Sequence, residues 1–189
     1  MKSSPIAAVL CAPGTNRDSD VSFALKQAGA TPISYLMSDL ISQPSRIDDA
    51  DIIVVAGGFS YADALGAGRL FAVELENSIG DRIRAAVTER RPVIGICNGF
   101  QTLVRMGILP EDNRLVALGH NDGGVFDCRW IEMEPVSKKC IWTRNLTENI
   151  HCPIAHGEGR LTAGSSTVSA LLTNDQVALR YVNGNPNGS

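Results

Sequence analysis

Pro92-Val93-Ile94-Gly95-Ile96-Cys97-Asn98-Gly99-Phe100-Gln101-Thr102-Leu103-Val104 is the stretch that decides the fold. Its first half is a short apolar run, as expected of a buried strand. Its second half carries Phe100, Leu103 and Val104 at helical spacing. Cys97 stands at the junction, between Gly95 and Gly99. Glycine gives the backbone the freedom that a sharp strand-to-helix corner demands. The thiol then lies at a helix N-terminus, where partial positive charge favours the thiolate, the reactive form. Two readings follow: a cysteine nucleophile for acyl transfer, or a buried structural cysteine in a glycine-rich turn.

The chain upstream repeats the same grammar. Ile6 to Leu10 reads as a buried strand, and Pro13 to Asp18 as a loop with Asn16 or Asp18 available to cap a helix. Val21, Ala24, Leu25 and Ala28 recur at helical spacing until Gly29 stops them. Thr31 to Leu36 is a second strand, and Asp51 to Ala56 a third, continuous in apolar β-formers. After the Gly57-Gly58-Phe59-Ser60-Tyr61 loop, Phe71, Leu75, Ile79 and Ile83 mark an amphipathic helix to about Ala86. Strand-helix alternation of this kind predicts an α/β fold: a doubly wound, mostly parallel sheet of flavodoxin-like type. Sites in such sheets lie at the C-terminal strand ends. Both Gly57-Gly58 and Cys97 fall at such ends.

The texture changes after about residue 110. Phe126, Cys128 and Trp130 alternate with Asp127 and Arg129, the pattern of a half-buried antiparallel strand. Cys140 to Trp142 and Val177 to Val182 read as further strands. The second half is expected to be an antiparallel extension, with residues 1–189 forming a single domain.

Composition narrows the function. The 189 residues are 44% hydrophobic and 20% charged, with a net charge of −3. No basic face is evident, so nucleic acid is not expected as a partner. No apolar run approaches a membrane span. Five cysteines, with no Cys-x-x-Cys pair, fit reduced thiols in a cytoplasm rather than a disulfide scaffold or a metal site.

A cysteine acting on an amide needs an oxyanion hole and a base. The Asn98 backbone N–H, just after the nucleophile, is one donor, and the Gly57-Gly58 loop can offer a second. The base is harder to find among three histidines. His156-Gly157-Glu158 places a His and a carboxylate two apart, on one face if the segment is a strand. His120 and His151 read as surface or structural residues.

Gly95-Ile96-Cys97-Asn98-Gly99-Phe100-Gln101 resembles the nucleophile motif of class I glutamine amidotransferases. Four more segments narrow the resemblance: Pro13-Gly14-Thr15-Asn16 with Asp18 and Asp20, Gly57 to Asp63, Ala155 to Arg160, and Asn185-Pro186-Asn187-Gly188-Ser189. Together they are similar to the glutaminase subunits of phosphoribosylformylglycinamidine synthases, in the purine pathway. The resemblance implies a glutaminase that hydrolyses glutamine through a thioester on Cys97. It implies Gly58 and Asn98 as oxyanion-hole amides. It implies Gly57, Gln101, His156, Gly157 and Glu158 as the lining of the glutamine pocket. No cofactor or metal is implied in this chain. Ammonia would pass to a synthetase subunit, which uses ATP and Mg, and a small third subunit would complete the assembly.

One departure stands out. The family draws its catalytic His and Glu from a His-Pro-Glu segment beyond the Asn-Pro-Asn-Gly-Ser motif, and no His-Pro-Glu occurs in these 189 residues. The expectations are a domain lacking its C-terminal end, a dyad taken over by His156 and Glu158, or a non-catalytic module that docks on the synthetase.

Overall fold

The computed structural model describes residues 4–110 and 116–189. The chain forms two compact units, Met1–Leu109 and Pro110–Ser189. Their boundary falls where the sequence changes texture.

The first unit runs β1 (Ile6–Cys11), α1 (Asp18–Gln27), β2 (Thr31–Leu36), α2 (Met37–Ser42), β3 (Ile52–Val55), α3 (Arg69–Thr88), β4 (Val93–Gly95) and α4 (Asn98–Arg105). The four strands are parallel, in the order β2-β1-β3-β4. Alternate residues of β1 and β3 enter two different cores. Ala8, Leu10, Ile53 and Val55 pack with Leu40, Phe71, Leu75, Ile79, Ile83 and Leu103 on one face. Val9, Cys11, Val54 and Ala56 pack with Val21 of α1 on the other. Both faces are covered, which is why these strands read as unbroken apolar runs. The i+4 row of α3 buries Phe71, Leu75, Ile79 and Ile83 almost completely, each contributing about 2 kcal/mol of transfer free energy. β2 is the sheet's edge, where Pro32 is tolerated and Leu36 stays exposed.

Helix α1 ends as its sequence predicts, with Gly29 at φ +87 beyond it. Its start differs. Arg17 is at the N-cap with no side-chain cap, while Asp18 and Asp20 lie in the first turn. There their charges complement the helix dipole instead of capping.

The second unit contains β5 (Val116–His120), β6 (Asp127–Pro135), β7 (Ile150–His156), β8 (Glu158–Ala163), α5 (Ser165–Thr173) and β9 (Leu179–Val182). It holds two antiparallel sheets, β5-β8 and β7-β6-β9. Two sequence expectations fail here. Phe126, Cys128 and Trp130 are exposed, not half-buried. The more buried row of the sheet is the opposite one, where Ile131 pairs with Cys152 and Met133 with Ile150 and Tyr181. Cross-strand partners choose the inner face, and they are invisible along a single strand. Cys140 to Trp142 is a turn, because the Ser137 hydroxyl accepts from Cys140 N–H at 2.9 Å and the Cys140 carbonyl accepts from Thr143 and Arg144. All five cysteines are free. Among the described residues no helix is long and apolar enough to cross a membrane.

Candidate active site

Ile96 to Gly99 form a tight turn that Gly99 N–H closes onto the Ile96 carbonyl at 2.9 Å. Cys97 occupies its first corner, at φ 54 and ψ −114. That is the conformation of the first central residue of a type II′ turn, where glycine is the usual occupant. A side chain held there costs about 1–3 kcal/mol and persists only when the surroundings enforce it. Here the enforcement is close packing. A Cβ at Gly99 would lie 2.0 Å from the Val55 carbonyl oxygen, and one at Gly95 would lie 2.5 Å from the Gly99 carbonyl oxygen. The two glycines let α4 start hard against β3 and β4. The corner then turns the Cys97 side chain to solvent, where it is exposed.

Asn98 is the first residue of α4, so its backbone N–H has no acceptor within the helix. The loop after β3 lies against the same corner. A Cβ at Gly57 would stand 2.7 Å from the Ile96 carbonyl oxygen and 3.2 Å from Cys97 Cβ. Gly58, at φ +128, forms an isolated antiparallel bridge with Thr15 of the loop after β1. A Cβ there would meet Asn16 Oδ1 at 2.5 Å, so Asn16 lies over Gly58 rather than on the helix it was expected to cap. Phe59 N–H and Tyr61 N–H donate to the Gly14 and Pro13 carbonyls at 3.2 and 2.7 Å. In a 2-1-3-4 sheet the order reverses between β1 and β3, the place where open α/β sheets bind ligands. Gly57, Gly58, Cys97 and Asn98 are therefore gathered at that end of the sheet.

Behind the corner is a set of polar contacts that the motif did not announce. Ser60 Oγ donates to Asn98 Oδ1, and Asn98 Nδ2 donates to Asp63 Oδ1 at 2.6 Å. Thr102 Oγ1 donates to the Asn98 carbonyl at 2.9 Å. Tyr61, Ala62 and Asp63 all sit at φ 53, a left-handed run costing about 1–2 kcal/mol per residue. The Tyr61 hydroxyl is hydrogen-bonded to Glu74 of α3. Burial, reinforced by that carboxylate, pushes the Tyr61 phenol well above its ordinary pKa, so it remains a donor. Gln101, one turn after Cys97, is buried. Cys11, the other cysteine of this unit, is inert by contrast: burial, with Asp18 nearby, pushes its thiol up to about 12.

The remaining predicted residues belong to the second unit, and they do not form a dyad. His156 ends β7 and Glu158 begins β8, with Gly157 as the corner between two different sheets. The two side chains therefore do not share a strand face. His156 is opposite Asp127, and Glu158 is opposite His120, whose Nδ1 is 3.8 Å from its carboxylate. Asn121 holds His156 instead. Its Nδ2 donates to the Val125 and His156 carbonyls at 2.8 and 2.9 Å. Its Oδ1 therefore faces the ring and accepts from His156 Nδ1 at 2.9 Å, which makes Nδ1 the protonated nitrogen. His156 Nε2 is buried without a hydrogen-bond partner among the described residues. Gly188 N–H donates to Asn185 Oδ1, and Ser189 Oγ accepts from Leu161 N–H at 2.9 Å, so the Asn185–Ser189 turn is pinned along β8. His151 stacks on Trp130, ring centroids 5.0 Å apart, beside a cleft of about 240 Å³ that Pro186 also lines. The Asn121 contacts also went unforeseen, since a lone Asn in a turn carries no local signal.

Comparison with known proteins agrees with this geometry. Residues 4–189 match the CobB/CobQ-like glutamine amidotransferase domain. The chain is 46% identical to the phosphoribosylformylglycinamidine synthase subunit PurQ of Treponema denticola, over 98% of this chain and 79% of that protein. Identity to the same subunit of Methanococcus maripaludis strain C5 is 32%, over 98% of this chain and 70% of that protein. The solved PurLQS structure from Thermotoga maritima superposes with a TM-score of 0.75 at 34% identity, covering 98% of this chain and 78% of that one. A strained cysteine corner on a parallel sheet, inside a sequence matched nearly end to end, leaves one assignment: the chain belongs to the CobB/CobQ-like glutamine amidotransferase family.

Proposed function

We propose that this chain is the glutaminase subunit of a phosphoribosylformylglycinamidine synthase. The observation that carries the reading is Cys97, held at a type II′ corner with Gly57 against it, in a chain 46% identical to a PurQ subunit. Cys97 Sγ attacks the side-chain amide carbon of glutamine. The C–N bond breaks, ammonia leaves with the added proton, and a glutamyl thioester remains. Water then cleaves the C–S bond, releasing glutamate and restoring the thiol. The backbone N–H groups of Gly58 and Asn98 stabilise the oxyanion of each tetrahedral intermediate. Gly57 and Gln101, in the same unit as Cys97, contact the glutamine. No general base is assigned: Asn121 holds His156 Nδ1–H, which leaves Nε2 as the basic nitrogen of that ring.

The liberated ammonia passes to a synthetase subunit, which uses ATP and Mg to convert formylglycinamide ribonucleotide to the amidine. A small third subunit completes the assembly. The similarity to a structure named PurLQS supports partners of this kind. Five free cysteines support a reducing, cytoplasmic setting.

The test combines the chain with its synthetase and compares glutamine with free ammonia as nitrogen source. Cys97→Ala abolishes glutamine-dependent amidine formation, a loss of about four orders of magnitude or more, and leaves the ammonia-dependent rate intact. Normal glutamine turnover by Cys97→Ala overturns the reading.

A further inference from the structure

We infer that Ser60 and Asp63 are positioning residues for the oxyanion hole, acting through the side chain of Asn98. The inference rests on the reading of Cys97 as a glutaminase nucleophile and goes one step deeper into the same site. Asn98 is 2% exposed and Ser60 is 4% exposed. A carboxylate only accepts, so Asp63 Oδ1 fixes the Asn98 amide with Nδ2 towards it and Oδ1 towards the Ser60 hydroxyl. Both partners of a buried Asn are thereby used in one orientation.

The placement of these contacts gives them a function. Asn98 supplies the second central residue of the turn that carries Cys97. Its peptide N–H points away from the helix only while that turn keeps its geometry. An Asn at a helix start ordinarily bonds to the local backbone; here its side chain reaches 35 and 38 residues back instead, to Asp63 and Ser60. Those two residues belong to the same loop as Gly57 and Gly58, Gly57-Gly58-Phe59-Ser60-Tyr61-Ala62-Asp63. One clamp therefore ties together both loops that carry oxyanion donors. It also explains the left-handed run from Tyr61 to Asp63, which brings the Asp63 carboxylate back onto Asn98. The Tyr61 N–H bond to the Pro13 carbonyl and the Tyr61 hydroxyl bond to Glu74 anchor that run at its other side.

The test measures two alkylation rates at Cys97, read by peptide mass spectrometry on the intact chain. The first reagent is a chloroketone analogue of glutamine. Its carbonyl oxygen occupies the oxyanion hole while the thiolate forms a C–S bond and chloride leaves. The second is iodoacetamide, a small reagent that reports access and reactivity of the thiol without a glutamine pose. Ser60→Ala and Asp63→Ala each slow the chloroketone reaction about tenfold, less than outright loss of a donor, while iodoacetamide rates stay within about twofold. Ser60→Thr, which keeps the hydroxyl, retains the wild-type chloroketone rate. Ser60→Ala combined with Asn98→Ala is no slower than Asn98→Ala alone, because both remove one shared interaction. Parallel slowing of both reagents, multiplied effects in the double variant, or wild-type rates throughout overturn the clamp. Failure of the glutaminase reading has a different signature: glutamine does not protect wild-type Cys97 from the chloroketone.

Discussion

The two units of this chain keep their shape by different means. In Met1–Leu109, Leu10, Phe71, Leu75 and Ile83 are wholly excluded from water, and both faces of the parallel sheet are closed. In Pro110–Ser189, Leu118 and Leu171 are the buried apolar side chains among the described residues, and the three-stranded sheet is half-buried at best. That unit relies on side chains bonded to backbone. Asn121 gathers the Val125 and His156 carbonyls, Ser137 and Asp175 hold the turn at 138–140, and Asn185 and Asn187 knot the segment to Ser189. The buried polar residues of the first unit are as telling. Ser60, Asn98, Gln101 and Thr102 all lie at the Cys97 corner or in the loop behind it. A hydrophobic core departs from its own rule where function requires it.

The largest effect should come from the closed core. Phe71→Ala should cost about 4 kcal/mol, whereas Trp130→Ala, at 63% exposed and stacked on His151, should cost under about 1 kcal/mol. Urea unfolding at unchanged slope measures both, and amide exchange shows which unit loses protection. Equal costs would mean that the second unit has a core of its own around Trp130, and the contrast would fall.

An intermediate effect tests the polar unit on its own terms. Asn121→Ala leaves the Val125 and His156 carbonyls and His156 Nδ1 without their partner. The cost should be about 2 kcal/mol, seen in urea unfolding. Nitrogen NMR of the His156 ring should show that Nδ1 no longer holds the proton alone. A stability unchanged by Asn121→Ala would argue that this unit is shaped by packing after all.

The smallest effect is a pH dependence. Desolvation acts to raise the Asp175 carboxyl, but the Lys138 and Lys139 N–H groups, at 2.9 and 3.0 Å, and the Ser137 hydroxyl hold it below its ordinary value. A folded value below the unfolded one contributes stability above the unfolded pKa, and that stability is lost as pH falls through the folded value. Unfolding followed from about pH 5 to pH 3 should therefore show a shallower decline in Asp175→Asn than in the parent, since unfolded Asp titrates near ~3.9. Identical slopes would remove Asp175 from the set of groups that hold the 138–140 turn.

The first unit was the more legible because its information is local. An apolar run such as Ile52 to Val55, or the four-residue spacing of Phe71, Leu75, Ile79 and Ile83, reports burial residue by residue. Glycines 95 and 99 around Cys97 announced the corner for the same reason. In the second unit the same reading put Phe126, Cys128 and Trp130 inside, placed a strand at Cys140 to Trp142, and set His156 and Glu158 on one face. Each of those errors concerns a partner strand or a turn that only antiparallel pairing supplies.

What the sequence determined by itself, then, is the alternation of strand and helix, the corner at Cys97 and the glycines that let backbone approach backbone. Those are consequences of hydrophobic period and of a missing Cβ, both written at the residue concerned. Tertiary structure alone decided which face of β6 is inner, that Gly157 splits His156 from Glu158, and that Asn98 is held by Ser60 and Asp63 from 38 and 35 residues away. Such choices depend on which polar group meets which across the fold, and a hydrogen bond leaves no mark on a sequence until both ends have been brought together.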